Sequence, residues 1–240
     1  YKRLKWFKMK KKILGIICVR SGSKGIKNKN LLKIHGKTLL EIAISQAKKS
    51  KIIDRLIVST DSIKMIKIAK KEKVEVPFIR PANLSRDNSK EWDVWRHALR
   101  YMENKLDYKA DILVSVPATS PIRSSKDIDT CITEFMKDTK KPLITVTKSK
   151  RNPFFNMVKE TKKNVYDLVI KKKKYSRRQD APVVYDVSTI AFVVSSKDIF
   201  KYDHLYSKGV RILKFDEEKS LDIDNLHEYN LAKFFYSKKN

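Results

Sequence analysis

Two groups of side chains, almost a full chain length apart, have the types and spacing for phosphate chemistry. The first is the run Arg20-Ser21-Gly22-Ser23-Lys24-Gly25-Ile26-Lys27-Asn28-Lys29-Asn30. Its glycines let the backbone turn tightly and come close to a ligand. The small hydroxyl residues supply donors, and four cations stand within ten residues. Exposed N–H groups and cations at the carboxyl end of a strand make a cradle for phosphate. The spacing is neither a Walker A loop nor a dinucleotide fingerprint, and an ordinary basic surface turn is the competing use of such a run. The second group is Asp222-Ile223-Asp224. On an extended segment, side chains two apart share a face, so both carboxylates point one way while Ile223 anchors the other. Two hard oxygen donors on one face suit Mg²⁺, which keeps several waters and takes phosphate oxygens as further ligands. A solvated strand end or a helix N-cap would use aspartates too.

Three further segments place reactive groups after expected strands. Ala118-Thr119-Ser120-Pro121-Ile122-Arg123 follows a buried strand, and its proline-restricted turn holds hydroxyls and an arginine over the sheet edge. Arg80 ends another strand, with Asp87 on the same loop. Arg177-Arg178-Gln179-Asp180-Ala181-Pro182 offers guanidinium forks of the kind that grip carboxylates bidentately. The four histidines show no metal-ligand spacing and read as structural or surface residues, and Trp92 and Trp95 read as helix core.

These groups need strands to hold them. Ile13–Val19, Leu56–Ser59, Val76–Ile79, Ile112–Val116 and Leu143–Val146 are short apolar runs rich in β-branched residues, as in strands buried on both faces. Between them Thr38–Lys49, Ser62–Lys71, Lys90–Asn104 and Lys126–Lys137 carry apolar residues at helical spacing. Such alternation predicts a doubly wound, mostly parallel α/β sheet, with ligands beyond the carboxyl ends of its strands. The rhythm breaks between about Arg151 and Asp186, where short strands and turns suggest an extended arm. It resumes with strands Ser188–Ser195 and Val210–Phe215 and a last helix from about Asn225 to Ser237. Residues 9–240 therefore read as one domain with 150–187 as an inserted arm, and residues 1–8 as lying outside the fold.

Composition narrows the classes. At 240 residues, with 41% hydrophobic and 34% charged residues, the chain is neither collagenous nor a disulfide scaffold. No apolar run approaches the length of a membrane span. The apolar run before Arg20 lacks a small-residue cleavage site after it and reads as a first strand, not a signal peptide. Two distant cysteines make neither a disulfide framework nor a zinc site, and fit a reducing cytoplasm. The net charge of +28 would attract polyanions. Yet 43 of the 55 cations are lysine, scattered along the chain, whereas readers of nucleic acid favour the arginine fork. No DNA- or RNA-binding motif is present, so no nucleic-acid partner is expected; a basic nucleic-acid-binding protein is the rival from another class.

Taken together, Arg20–Gly25 with Lys29-Asn30, Val58-Ser59-Thr60-Asp61, Arg80-Pro81-Ala82, Ala118–Arg123, Arg178-Gln179 and Leu221-Asp222-Ile223-Asp224 occur in an order that resembles the acylneuraminate cytidylyltransferases, the CMP-sialic acid synthetases and their relatives. The resemblance runs from about Ile13 to Leu231. It implies a Rossmann-like nucleotidyltransferase fold with a β-rich dimerisation arm. It also implies a reaction in which CTP is coupled to a nine-carbon nonulosonic acid, giving CMP-sugar and pyrophosphate. It makes Arg20, Ser21, Gly22, Ser23, Lys24, Asn30 and Arg80 nucleotide contacts, and Asp222 and Asp224 the Mg²⁺ ligands. Arg20, Lys24 and Lys29 would offset charge on the transferred and leaving phosphates. Ser120, Arg178 and Gln179 would face the sugar, with Tyr206 expected to point towards a partner's sugar site in a homodimer. Two departures, Pro117-Ala118 where the family commonly has Gln-Pro, and Tyr185-Asp186-Val187 where most sialate enzymes have Pro-Asn-Gly, resemble a branch handling bacterial sugars such as legionaminic acid. The eight-carbon 3-deoxy-octulosonate is the alternative acid. The general base stays open between a metal-bound water and Asp222.

Overall fold

The computed structural model describes residues 11–22, 25–171 and 175–239. The expectation for residues 1–8 and the placement of Ser23 and Lys24 lie outside them. The first apolar run forms strand β1 (Ile13–Cys18), whose side chains alternate between two cores. Ile13 and Ile17 pack on one face of the sheet, Leu14 and Ile16 on the other. A hairpin of β2 (Lys33–Ile34) and β3 (Lys37–Thr38) follows, turned by His35 and Gly36, both at positive φ. It leads into α1 (Leu39–Lys48), started by a capping box between Thr38 and Glu41.

The chain then alternates: β4 (Arg55–Ser59), α2 (Ile63–Lys71), α3 (Glu91–Leu106), β5 (Ile112–Ser115), α4 (Ser125–Lys137) and β6 (Leu143–Lys148). After the arm hairpin β7 (Val158–Lys162) and β8 (Val165–Leu168) come β9 (Tyr185–Ser195), α5 (Ser196–Lys201), β10 (Arg211–Lys214) and α6 (Leu226–Lys239). The six-stranded sheet has the order β10-β6-β9-β5-β1-β4, parallel except for β9, which runs antiparallel between β5 and β6. Helices α1, α2, α4 and α6 cover one face, with Leu40, Ile44, Met65, Ile132 and Ala232 in its core. Helix α3, through Trp92, Trp95 and Met102, covers the other together with Ile199 of α5. This is the doubly wound α/β sheet expected.

Two expected elements differ. The segment Val76–Ile79 is not a strand; beside β4 it makes only isolated bridges from Glu75 to Ile57 and from Ile79 to Thr60. Pro77 stands between them, and a residue with no N–H cannot support a continuous ladder. The sheet also reclaims the end of the arm, since Tyr185 and Asp186 pair with Lys148 and Thr147. The β7–β8 hairpin, in contrast, pairs only with itself among the described strands.

Candidate active site

A cavity of about 470 Å³ opens beyond the carboxyl ends of β1 and β5, where ligands of doubly wound sheets bind. Its walls carry Arg20, Gly25, Lys29 and Asn30 from the loop after β1, Arg80 and Asp87 from the α2–α3 connection, and Glu91 at the start of α3. Pro117, Ala118 and Thr119 after β5, Thr189 and Phe192 of β9, and Asp224 complete it.

The basic loop is pinned before it turns. Asp61, at the end of β4, accepts the Ser21 N–H at 2.9 Å and the Ser21 hydroxyl at 2.5 Å. Gly22 follows at φ 76°, a conformation that side chains resist. At Gly25 the reason for glycine is space: a Cβ there would stand 2.4 Å from the Asp224 carbonyl oxygen. The loop therefore packs directly on the backbone of the acidic pair, and Lys29 Nζ reaches Asp224 Oδ1 at 2.6 Å. Asn30 is buried and donates through Nδ2 to the Arg20 carbonyl at 3.4 Å.

The Asp222–Asp224 segment is held as its spacing predicts. Ile223 is fully buried in the core, and its N–H donates to the Thr119 carbonyl at 3.0 Å. Capping of α6 falls to Asn225, whose Oδ1 accepts the Glu228 N–H at 3.0 Å, while Glu228 Oε2 accepts the Asp224 and Asn225 N–H groups. Asp224 thus keeps its carboxylate for the cavity, and the N-cap alternative does not apply to it. Burial pushes the Asp222 carboxyl up, and the negative charge of Asp224 acts the same way against the Thr119 and Thr189 hydroxyls and Lys29. Its Oδ1 is buried with no hydrogen-bond partner among the described residues. An orphaned carboxylate oxygen beside a second carboxylate is a donor set that a hard divalent cation would complete. Among the described residues no cluster of three or more histidine, cysteine or acidic side chains exists, so such an ion would draw its other ligands from substrate and water.

Arg80, only 5% exposed, donates from Nε to Ser59 Oγ at 3.0 Å and from Nη2 to the Ser59 carbonyl, while Arg20 is held by Asp87 at 2.5 Å. Sequence reasoning missed Glu91. It looks like an ordinary acid in the first turn of a helix and is exposed as a residue, yet it lines the cavity wall. There its Oε1 accepts the Ser115 hydroxyl at 3.0 Å and Trp95 Nε1–H at 3.2 Å. Desolvation of the carboxyl in the cavity wall raises it above the usual range, against the hydrogen bonds from Ser115 and Trp95. Glutamate four residues before a tryptophan was the available signal. Cys18 forms part of the wall as an inert thiol, pushed up by burial to about 12.

Other expected site residues do not meet here. Ser120 is fully buried, its hydroxyl 2.7 Å from Thr189 Oγ1, so the cavity is faced by Thr119 and Thr189 instead. Arg123 is likewise buried beneath the site and does not stand over the sheet edge. It donates to the Pro117 carbonyl at 2.5 Å, and burial lowers its guanidinium to about 9. Arg178 and Gln179 face a separate cavity of about 440 Å³ at the root of the arm, with Arg178 Nη2 bonded to the Ser149 carbonyl at 3.0 Å. Tyr206 is half exposed on the loop after α5 and borders neither cavity.

A loop and an acidic pair meeting at a switch-side edge of a doubly wound sheet place the protein among the α/β enzymes that handle nucleotide phosphates. Comparison refines the class: the family profile described as Cytidylyltransferase matches residues 14–240, and the chain belongs to that family of nucleotidyltransferases. It is 33% identical, over 95% of its length and 96% of theirs, to two Campylobacter proteins. These are post-translational flagellin modification protein B of Campylobacter coli and CMP-N,N'-diacetyllegionaminic acid synthase of Campylobacter jejuni. It is 29% identical to N-acylneuraminate cytidylyltransferase of Escherichia coli over 97% of this chain and 54% of that one. Among solved structures, CMP:2-keto-3-deoxy-manno-octonic acid synthetase complexed with CTP superposes with a TM-score of 0.71 at 13% identity. That match covers 95% of this chain and all of the other, and shows a shared fold.

Proposed function

We propose that the protein transfers CMP from CTP to the anomeric hydroxyl of a nine-carbon nonulosonic acid of the legionaminic or sialic type, releasing pyrophosphate. The observation carrying this reading is the contact between Lys29 and Asp224, 195 residues apart, which joins the phosphate loop to the acidic segment at a cavity that Asp224 lines. The relatives named for legionaminic and neuraminic acids support the acid's class. In-line attack on the α-phosphorus requires mainly positioning and charge neutralisation. Arg20, Lys24 and Lys29 would meet the phosphates, Ser21, Gly22, Ser23 and Asn30 shape the cradle, and Arg80 backs the nucleotide. Asp222 and Asp224 would hold Mg²⁺, which when bound screens phosphate charge against an incoming nucleophile. The chain would act as a cytoplasmic homodimer; none of its described helices is long and apolar enough to cross a membrane.

The homodimer reading rests on the arm. Every residue of β7 is exposed, as are Val165 and Tyr166 of β8, and an isolated two-stranded hairpin is marginal in water. A second copy covering it would also close the cavity holding Arg178 and Gln179, making these sugar contacts, with Tyr206 contributed across the interface. A pyrophosphate-release assay with CTP and a panel of keto-acid sugars tests the function. Turnover of nine-carbon acids is expected. Turnover of 3-deoxy-octulosonate alone would replace this reading with the eight-carbon one.

A further inference from the structure

We propose that Lys29 is a shared counter-ion, held by Asp224 in the ligand-free protein and passed to the triphosphate when a divalent cation takes its place. Cation and nucleotide then bind as a cooperative pair. The inference rests on the metal role proposed for Asp222 and Asp224. Lys29 Nζ lies 2.6 Å from Asp224 Oδ1, and the lysine side chain is only 16% exposed, walled into the cavity. Asp224 cannot swing clear with its backbone, because its carbonyl packs against Gly25 and its N–H is bound by Glu228. A divalent ion on Asp224 would therefore face an ammonium group at close range, a like-charge contact that weakens it. The lysine can leave: its backbone is fixed in a short turn by the bond to the Ile26 carbonyl, and a flexible four-carbon stem carries its charge. Arg20 is held in the same manner by Asp87, so both described loop cations that line the cavity rest on carboxylates.

Either ligand alone disturbs the ion pair. The metal must displace the lysine, and the nucleotide must draw it off and leave Asp224 without its counter-ion. Bound together, each removes the cost of the other, and the coupling must be reciprocal.

The test uses Mn²⁺ as a paramagnetic probe and CTP in EDTA as the metal-free nucleotide, with circular dichroism to verify folding. Lys29→Met, and independently Lys29→Gln, should raise Mn²⁺ affinity without nucleotide by about tenfold. Asp224→Asn should tighten CTP binding in EDTA several-fold, and that gain should vanish in the Lys29→Met background. Unchanged Mn²⁺ affinity in both lysine variants, or an equal gain from Asp224→Asn in both backgrounds, would overturn the proposal. The underlying metal role fails by a different result: a Mn²⁺ spectrum in the presence of CTP that neither Asp222→Asn nor Asp224→Asn alters.

Discussion

At the scale of single residues, Asp224 is where the proposed catalytic role separates most cleanly from folding. Its carboxylate is exposed and touches Lys29, while Ile223 and Asn225 do the structural work around it. Asp224→Ala should lower kcat by at least about 100-fold and leave the melting temperature nearly unchanged; near-normal turnover would show that this carboxylate is not used. Glu91 makes the opposite kind of prediction. Its folded-state carboxyl is raised by desolvation in the cavity wall, so the fold favours the protonated form. That contribution is greatest below the ordinary carboxylate range and is lost as pH climbs through the raised value. Glu91→Gln, always neutral, should gain in melting temperature relative to wild type as pH rises from about 4.5 towards neutrality. Calorimetric scans that show a constant gap across this range would contradict it. Arg20, Lys29, Asn30, Arg80 and Asp224 were legible in the sequence because each belongs to a short run at a strand end. Glu91 was not, since only the tertiary fold turns that face of α3 inward, and Ser120 misled because the rotation of a turn decides which of two adjacent hydroxyls sees solvent.

At the scale of elements, apolar runs announced the strands, and the doubly wound order followed from their alternation with amphipathic stretches. Local chemistry overrode pattern at Pro77, and the β2–β3 hairpin escaped notice because His35 occupies a position where asparagine or aspartate would signal the turn. The loop after β1 depends on two elements far from it, β4 through Asp61 and the approach to α6 through Gly25. Gly25→Ala should therefore reduce kcat/KM by an order of magnitude or more, on the order of 1 Å of displacement sufficing. Since the clash is with backbone, relief requires the loop to lift. Steady-state kinetics beside a thermal melt checks this, and loss of stability with unaltered kinetics would mark the glycine as purely architectural.

At the scale of the whole molecule, the arm and the site share a strand. Strand β9 leaves the root of the arm at Tyr185, borders the cavity at Thr189 and Phe192, and ends at Ser195 on the far side. Removing residues 157–169 should convert a dimer to a monomer in sedimentation analysis and raise the KM for the sugar more than that for CTP. A monomeric intact protein would refute the proposed assembly. The sequence does not separate Arg178 and Gln179 from the residues around Asp224, because only the fold sets them in a second cavity at the root of the arm. The 195-residue separation of Lys29 and Asp224 carries one more consequence. Every strand of the sheet precedes Asp222 in the chain, so under the proposed function a nascent or clipped chain that stops short of it would lack both the acidic residues and the backbone on which Gly25 rests, and would not release pyrophosphate.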